Sequence, residues 1–179
     1  MEYWSVGKDQ NLEPRYSKTP SLHYSSSMEG RLMGMVDVSE KPVVLRKAQA
    51  AGKIFLSPKT LEEIKGGRIK KGNPLQVAEV AAMNAAKQTH ILIPHCHQIP
   101  LDTVRMDFDV RADGIEAVCY VSARARTGVE MEALVGVSMA LNTLWDMVKY
   151  LEKDDQGQYP FTRITDIRVL KKEKQAKTD

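Results

Sequence analysis

An α+β fold, with helices packed on one face of a largely antiparallel sheet, is predicted by the order of elements along this chain. Three observations carry that prediction. Ser57-Pro58 and Asn73-Pro74 each set a capping side chain before a proline, the pattern that opens a helix. Two alternating apolar runs flank an Asp-Gly pair at 113–114, as the strands of a hairpin do. The stretch 129–151 repeats Met131, Leu134, Val135, Ser138, Leu141, Trp145 and Val148 at helical spacing and is the strongest helix of the sequence.

Taken in order, residues 1–30 carry Pro14, Pro20, several serines and scattered aromatics without a period, the composition of a flexible arm. Residues 43–56 have strand-like apolar content, with alanine and glycine making the strand long and irregular. A helix follows from Pro58 to the glycine pair at 66–67, and a second from Pro74 through an alanine-rich stretch. Residues 101–110 and 115–126 are the hairpin strands. After the long helix and the loop around Gly157, residues 161–170 read as a last strand whose basic end frays into solvent. Strand, helix, helix, strand, strand, helix, strand fits a βαββαβ core with one additional helix, the ferredoxin-like plan. The domain expectation is a flexible arm over 1–30, one folded domain over 31–172 and a basic tail over 173–179.

The chain has 179 residues, enough for one self-sufficient core and too few for two ordinary ones. With 42% hydrophobic and 27% charged residues it has the balance of a soluble globular protein, and no apolar run approaches the length of a membrane span. The first residues lack the apolar core of a signal peptide, which makes the cytoplasm the expected location. Cys96 and Cys119 are too few for a disulfide framework and read as free thiols. A net charge of +3 fits a nucleic-acid binder and a collector of anionic substrates equally well.

Chemistry concentrates in three segments. The run 87–100, KQTHILIPHCHQIP, packs three histidines and a cysteine into a turn. His95 and His97 flank Cys96; these side chains offer zinc ligands, yet the usual C-x-x-C and H-E-x-x-H spacings are absent, so no permanent metal is expected. An imidazole exchanges protons near neutral pH without a metal, and Pro94 and Pro100 stiffen its loop. His90 reads as a packing or capping residue. In GGRIKKGNP, 66–74, Arg68, Lys70 and Lys71 precede a helix start whose free N–H groups favour an anion. The plainer reading of such lysines is a solvated loop, and the Walker pattern is missing. Glu130 and Glu132 lie about 200° apart on an ideal helix, so the two side chains diverge. Asp146 and Lys149 share a helical face, where an ordinary surface pair is the plain account.

Five motifs in sequence order resemble the MoaC family, the cyclic pyranopterin monophosphate synthases of molybdenum cofactor biosynthesis. They are MVDVSEK at 35–41, GGRIKKGNP at 66–74, IPHCHQIPL at 93–101, RTGVEMEAL at 126–134 and WDMVK at 145–149. The likeness runs from about residue 33 to 172. It implies a ferredoxin-like protomer that forms homodimers with the active pocket at their boundary, and then a homohexamer. It implies a phosphorus–oxygen lyase that converts 3',8-cyclo-7,8-dihydroguanosine 5'-triphosphate, a cyclic dihydro-GTP, into cyclic pyranopterin monophosphate and pyrophosphate. By the family pattern Lys71, His97, Asp146 and Lys149 carry catalysis, while Asp37, Arg46, Cys96, Glu130, Met131, Glu132 and Lys172 line the substrate site. No cofactor is required, although Mg²⁺ can accompany a triphosphate, and neither nucleic acid nor membrane is a partner.

The sequence departs from the family in places. His95 and Gln98 stand where many relatives have leucine and proline, and Asn73-Pro74 replaces a common Asp-Val. Among the candidates, Lys149 supported by Asp146 is the favoured acid/base group, with Lys71 polarising substrate. Two other readings stand beside this one: a binding module whose GGRIKKG loop and basic tail contact nucleic acid, and a zinc hydrolase.

Overall fold

The computed structural model describes residues 34–175. They form β1 (Val44–Phe55), α1 (Pro58–Lys65), α2 (Pro74–Lys87), α3 (Thr89–Leu92), β2 (Thr103–Val110), β3 (Gly114–Ala125), α4 (Glu130–Glu152) and β4 (Arg163–Gln175). The sheet order is β2-β3-β1-β4, and every neighbouring pair is antiparallel. That order with this connectivity is the ferredoxin-like plan. The two cap-and-proline starts act as expected: Ser57 Oγ accepts the Thr60 N–H, and Asn73 Oδ1 accepts those of Leu75 and Gln76.

Two elements differ from the sequence reading. Residues 89–92, taken as part of a turn, form the short helix α3, because the buried Thr89 hydroxyl donates to the Ala86 carbonyl and Ile91 and Leu92 return their N–H groups to Gln88. The last strand also continues past residue 170. Lys171–Gln175 pair with Gln49–Leu45 of β1, covering backbone that would otherwise be an open sheet edge. The arm expected over 1–30 and the final four residues of the tail lie outside the described residues.

Register decides which face is buried. Ala48, Ala50 and Ile54 of β1 align with Val121, Cys119 and Ile115 of β3, and all six are buried. Above them lie Ala133, Val137, Ala140, Leu141, Leu144 and Val148 of α4, so small residues on the strands let the helix sit close to the sheet. The alanines of α2 at 78, 82, 85 and 86 are buried in turn. The opposite sheet face is charged and aromatic: the Arg105 guanidinium lies 4.3 Å from the Tyr120 ring centroid and that of Arg163 lies 3.8 Å from that of Phe55.

Glu152 anchors the end of α4. Its carboxylate is only 7% exposed and accepts from the Ser57 N–H at 3.1 Å, the Ser57 hydroxyl at 2.8 Å and the Thr162 hydroxyl at 2.6 Å. Burial alone would raise its pKa, but the hydrogen bonds from Thr162, Thr60 and Ser57 outweigh burial and keep it low. One carboxylate thereby ties the last turn of α4 to the starts of α1 and β4.

Candidate active site

Toward the C-terminal end of α4, one helical turn brings together Asp146, Lys149 and Tyr150. The loop 66–72 reaches this turn with Gly67 at φ 65° and Gly72 at φ 96°, conformations that favour glycine. Its three cations go to separate places. Arg68 is held by both carboxylate oxygens of Glu63 at 3.0 Å, and the Lys70 ammonium sits 5.4 Å from the Tyr150 ring centroid. Lys71 alone reaches the acid: its Nζ donates to Asp146 Oδ2 at 2.7 Å and to the Asp146 carbonyl at 2.9 Å. Lys149 Nζ lies 2.8 Å from Asp146 Oδ1. Asp146 is thus clasped between two ammonium groups, and Trp145 beside it packs edge-on against Tyr159 at 5.8 Å.

The charge states follow from that clasp. Hydrogen bonds from Lys149 and then Lys71 pull the Asp146 pKa down to about 2, so it is a carboxylate throughout the neutral range. The same contact with Asp146 raises Lys149, which is therefore an ammonium at neutral pH. An ammonium can donate a proton, and Lys149 would become a base only after giving that proton up. The clasp is lost on the acid side as pH falls toward 2 and on the alkaline side as Lys149 deprotonates. All three groups are largely exposed, so the arrangement is one of positioning rather than of stability.

The N-terminal end of α4 carries a second group. A cavity of ≈ 320 Å³ is lined by His95, Cys96, His97, Met131 and Glu132, with Val36 and Lys41 from the segment before β1. His97 Nε2 lies 2.8 Å from the Val36 carbonyl. Since a carbonyl only accepts, Nε2 must carry the proton, which leaves Nδ1 as the acceptor of the neutral ring. Asp37 accepts the Ser39 N–H at 2.8 Å, and that bond, helped by the Ser39 hydroxyl, lowers its pKa. Burial raises the Cys96 thiol, and the Glu132 charge adds to this. Glu132 itself is 4% exposed, and its Oε2 has no hydrogen-bond partner among the described residues. Burial, with the nearby Glu130 charge, pushes its pKa up against the pull of its own backbone N–H.

A smaller cleft adjoins this cavity through Gly128 and is lined by Arg46, Glu130 and Lys172 among others. Lys172 Nζ lies 3.1 Å from Glu130 Oε1, and the Arg46 guanidinium donates to the Ala125 and Arg126 carbonyls. Glu130 and Glu132 therefore line different cavities, as their helical angle requires. Among the described residues no three His, Cys, Asp or Glu side chains are grouped as metal ligands.

A Thermococcus kodakarensis protein named "Probable cyclic pyranopterin monophosphate synthase" is 58% identical over 140 residues, 78% of this chain and 90% of its own length. Proteins of the same name from Thermococcus onnurineus and Methanosarcina acetivorans are 56% identical over 79% of this chain and 54% identical over 77%, covering 90% and 87% of their own lengths. The family profile described as MoaC matches residues 35–175. The chain belongs to the MoaC family.

In this MoaC chain the eleven residues expected from sequence fall into two groups at opposite ends of one helix. Lys71, Asp146 and Lys149 form one; Asp37, Arg46, Cys96, His97, Glu130, Met131, Glu132 and Lys172 surround the other. Glu132 and Asp146 are fourteen positions apart, about 21 Å along an α-helix. Between the ends, α4 exposes Met139, and β4 beside it exposes Ile167, Val169 and Leu170. Lys41 and Thr127 line the larger cavity without being singled out by residue chemistry; their place inside the MVDVSEK and RTGVEMEAL motifs was the available signal.

Proposed function

We propose that this chain is a cyclic pyranopterin monophosphate synthase, converting 3',8-cyclo-7,8-dihydroguanosine 5'-triphosphate into cyclic pyranopterin monophosphate and pyrophosphate in molybdenum cofactor biosynthesis. The observation that carries the reading is its 58% identity to a protein of that name over 90% of that protein's length. The geometry supplies groups for each demand of the reaction. Arg46 and Lys172 bind the triphosphate tail and stabilise the charge that gathers on pyrophosphate as the bond between the α-phosphorus and its bridging oxygen breaks. A sugar hydroxyl forms the replacement bond to that phosphorus and releases its proton to a base, for which His97 Nδ1 is the acceptor at hand. Lys149, an ammonium held by Asp146, donates a proton as the imidazole-derived ring opens, and Lys71 polarises the adjoining substrate atoms. Cys96, Met131 and Glu132 bound the base-binding cavity, and Asp37 flanks it. No resident cofactor enters this scheme; Mg²⁺ would arrive with the triphosphate, as part of the substrate.

One chain does not bring its two groups together, and a second copy does so if α4 pairs antiparallel to its mate. A two-fold contact along the exposed apolar strip of α4 and β4 sets the Lys71–Asp146–Lys149 group of one protomer beside the His97 and Lys172 group of the other, twice per dimer. The dimer is then the catalytic unit, three dimers make the hexamer, and the cytoplasm is its place of work. Anaerobic incubation of the purified chain with the cyclic nucleotide is expected to yield pyrophosphate and the pterin in equal amounts. No turnover by the correctly assembled protein would refute the reading; nucleic-acid binding, or stoichiometric zinc in its place, would favour the other two.

A further inference from the structure

We propose that Tyr150 is a positioning residue for Lys71: its phenol oxygen, taking the Lys70 N–H at 3.0 Å, fixes the loop 66–72 so that the next side chain lands on Asp146. The inference rests on the catalytic reading of Lys71 above. A lysine ammonium on four rotatable bonds is a poorly placed charge unless its backbone is held. The loop that carries it turns through positive-φ glycines at 67 and 72, and between them the buried Ile69 side chain anchors it to the core, leaving the residues after Ile69 to be placed. Within it, Gly72 returns its N–H to the Ile69 carbonyl. The bond from Lys70 to Tyr150 spans eighty positions of sequence and is the link that attaches the loop backbone to α4 immediately before Lys71.

The same side chain makes a second contact with the same residue. Lys70 Nζ lies 5.4 Å from the Tyr150 ring centroid, so both the backbone and the ammonium of Lys70 are drawn to one tyrosine. Lys70 is thereby kept away from Asp146, and Lys71 alone occupies Oδ2. Asp146, Lys149 and Tyr150 belong to one turn of α4, so acceptor, second ammonium and strut move as a rigid unit. Paired lysines are alike in residue type, and the tyrosine decides which of the two enters the site.

Tyr150→Phe removes the hydroxyl and keeps the ring, and with it the ammonium contact of Lys70. The expected result in the full-length, assembled enzyme is a kcat lowered roughly five- to tenfold, the loss that follows from one positioning hydrogen bond, with KM within about twofold and an unchanged melting temperature. Hydrogen exchange at the Lys70 amide should accelerate by a similar factor. In a Lys71→Ala background the same Tyr150→Phe change should cost nothing further, whereas a general structural role would lower activity equally in both backgrounds. An unchanged kcat in Tyr150→Phe, or an equal fall with and without Lys71, would overturn the proposal. If the wild type itself turns over no substrate, the functional reading fails, and the amide exchange rate still decides whether Tyr150 holds the loop: acceleration supports it, and no change refutes it.

Discussion

Replacing Lys149 with alanine is expected to lower kcat by about 10²- to 10⁴-fold, the range contributed by a positioned general acid. The effect should be this large because Lys149 is raised and charged through its contact with Asp146, which in the proposed scheme makes it an ammonium ready to donate. Asp146→Asn tests the same unit from its other side. Without the carboxylate that raises it, Lys149 loses its proton at lower pH, and the alkaline limb of the rate profile should move down. The acid limb of the wild type should not report Asp146 at all, since that group stays ionised until about pH 2. Steady-state rates across pH for the wild type and both variants check this. A Lys149→Ala enzyme with wild-type turnover at saturating substrate would remove Lys149 from the chemistry.

Val169→Asp is expected to leave the protomer folded, to dissociate the proposed dimer and to lower turnover by more than about a hundredfold. Val169 is 37% exposed in the isolated chain, on the part of β4 that flanks α4, in line with the exposed Ile167 and Leu170. A charge placed there meets water in a monomer, where surface substitutions stay within about 0.5 kcal/mol. In a two-fold contact it is buried twice and faces its own copy, and an unpaired buried charge is strongly unfavourable. Sedimentation and circular dichroism separate loss of assembly from loss of fold. A monomeric variant with full activity would show that one chain holds a complete site.

Much of this protein can be read directly from its sequence, for identifiable reasons. Ser57-Pro58 and Asn73-Pro74 are local signals, since a capping oxygen and a fixed φ act within three residues, and both open helices where expected. Where tertiary pairing decides, the sequence reading is shorter than the structure. Lys171–Gln175 have the composition of a solvated tail, and they become strand because β1 offers an unpaired edge. The chemistry of Asp146 and Lys149 is legible as an i, i+3 pair, whereas its third member comes from a loop seventy-five positions away. Nothing in GGRIKKG distinguishes Lys71 from Lys70 by residue type; Tyr150 does so in three dimensions. The orphaned Oε2 of Glu132 depends on burial from several elements and has no sequence signature of its own.

A hybrid dimer tests the divided site most directly. Lys149→Ala removes a group from one end of α4 and His97→Ala a group from the other, so each homodimer lacks one essential residue in both of its sites. A heterodimer of the two, isolated through different affinity tags, contains one site with both lesions and one with neither. Turnover of the cyclic nucleotide by that heterodimer, followed as pyrophosphate and pterin together, is predicted to recover to about half the wild-type rate while both parent homodimers stay inactive. A heterodimer as inactive as its parents would contradict the account, because it would place Lys149 and His97 in the same chain's site.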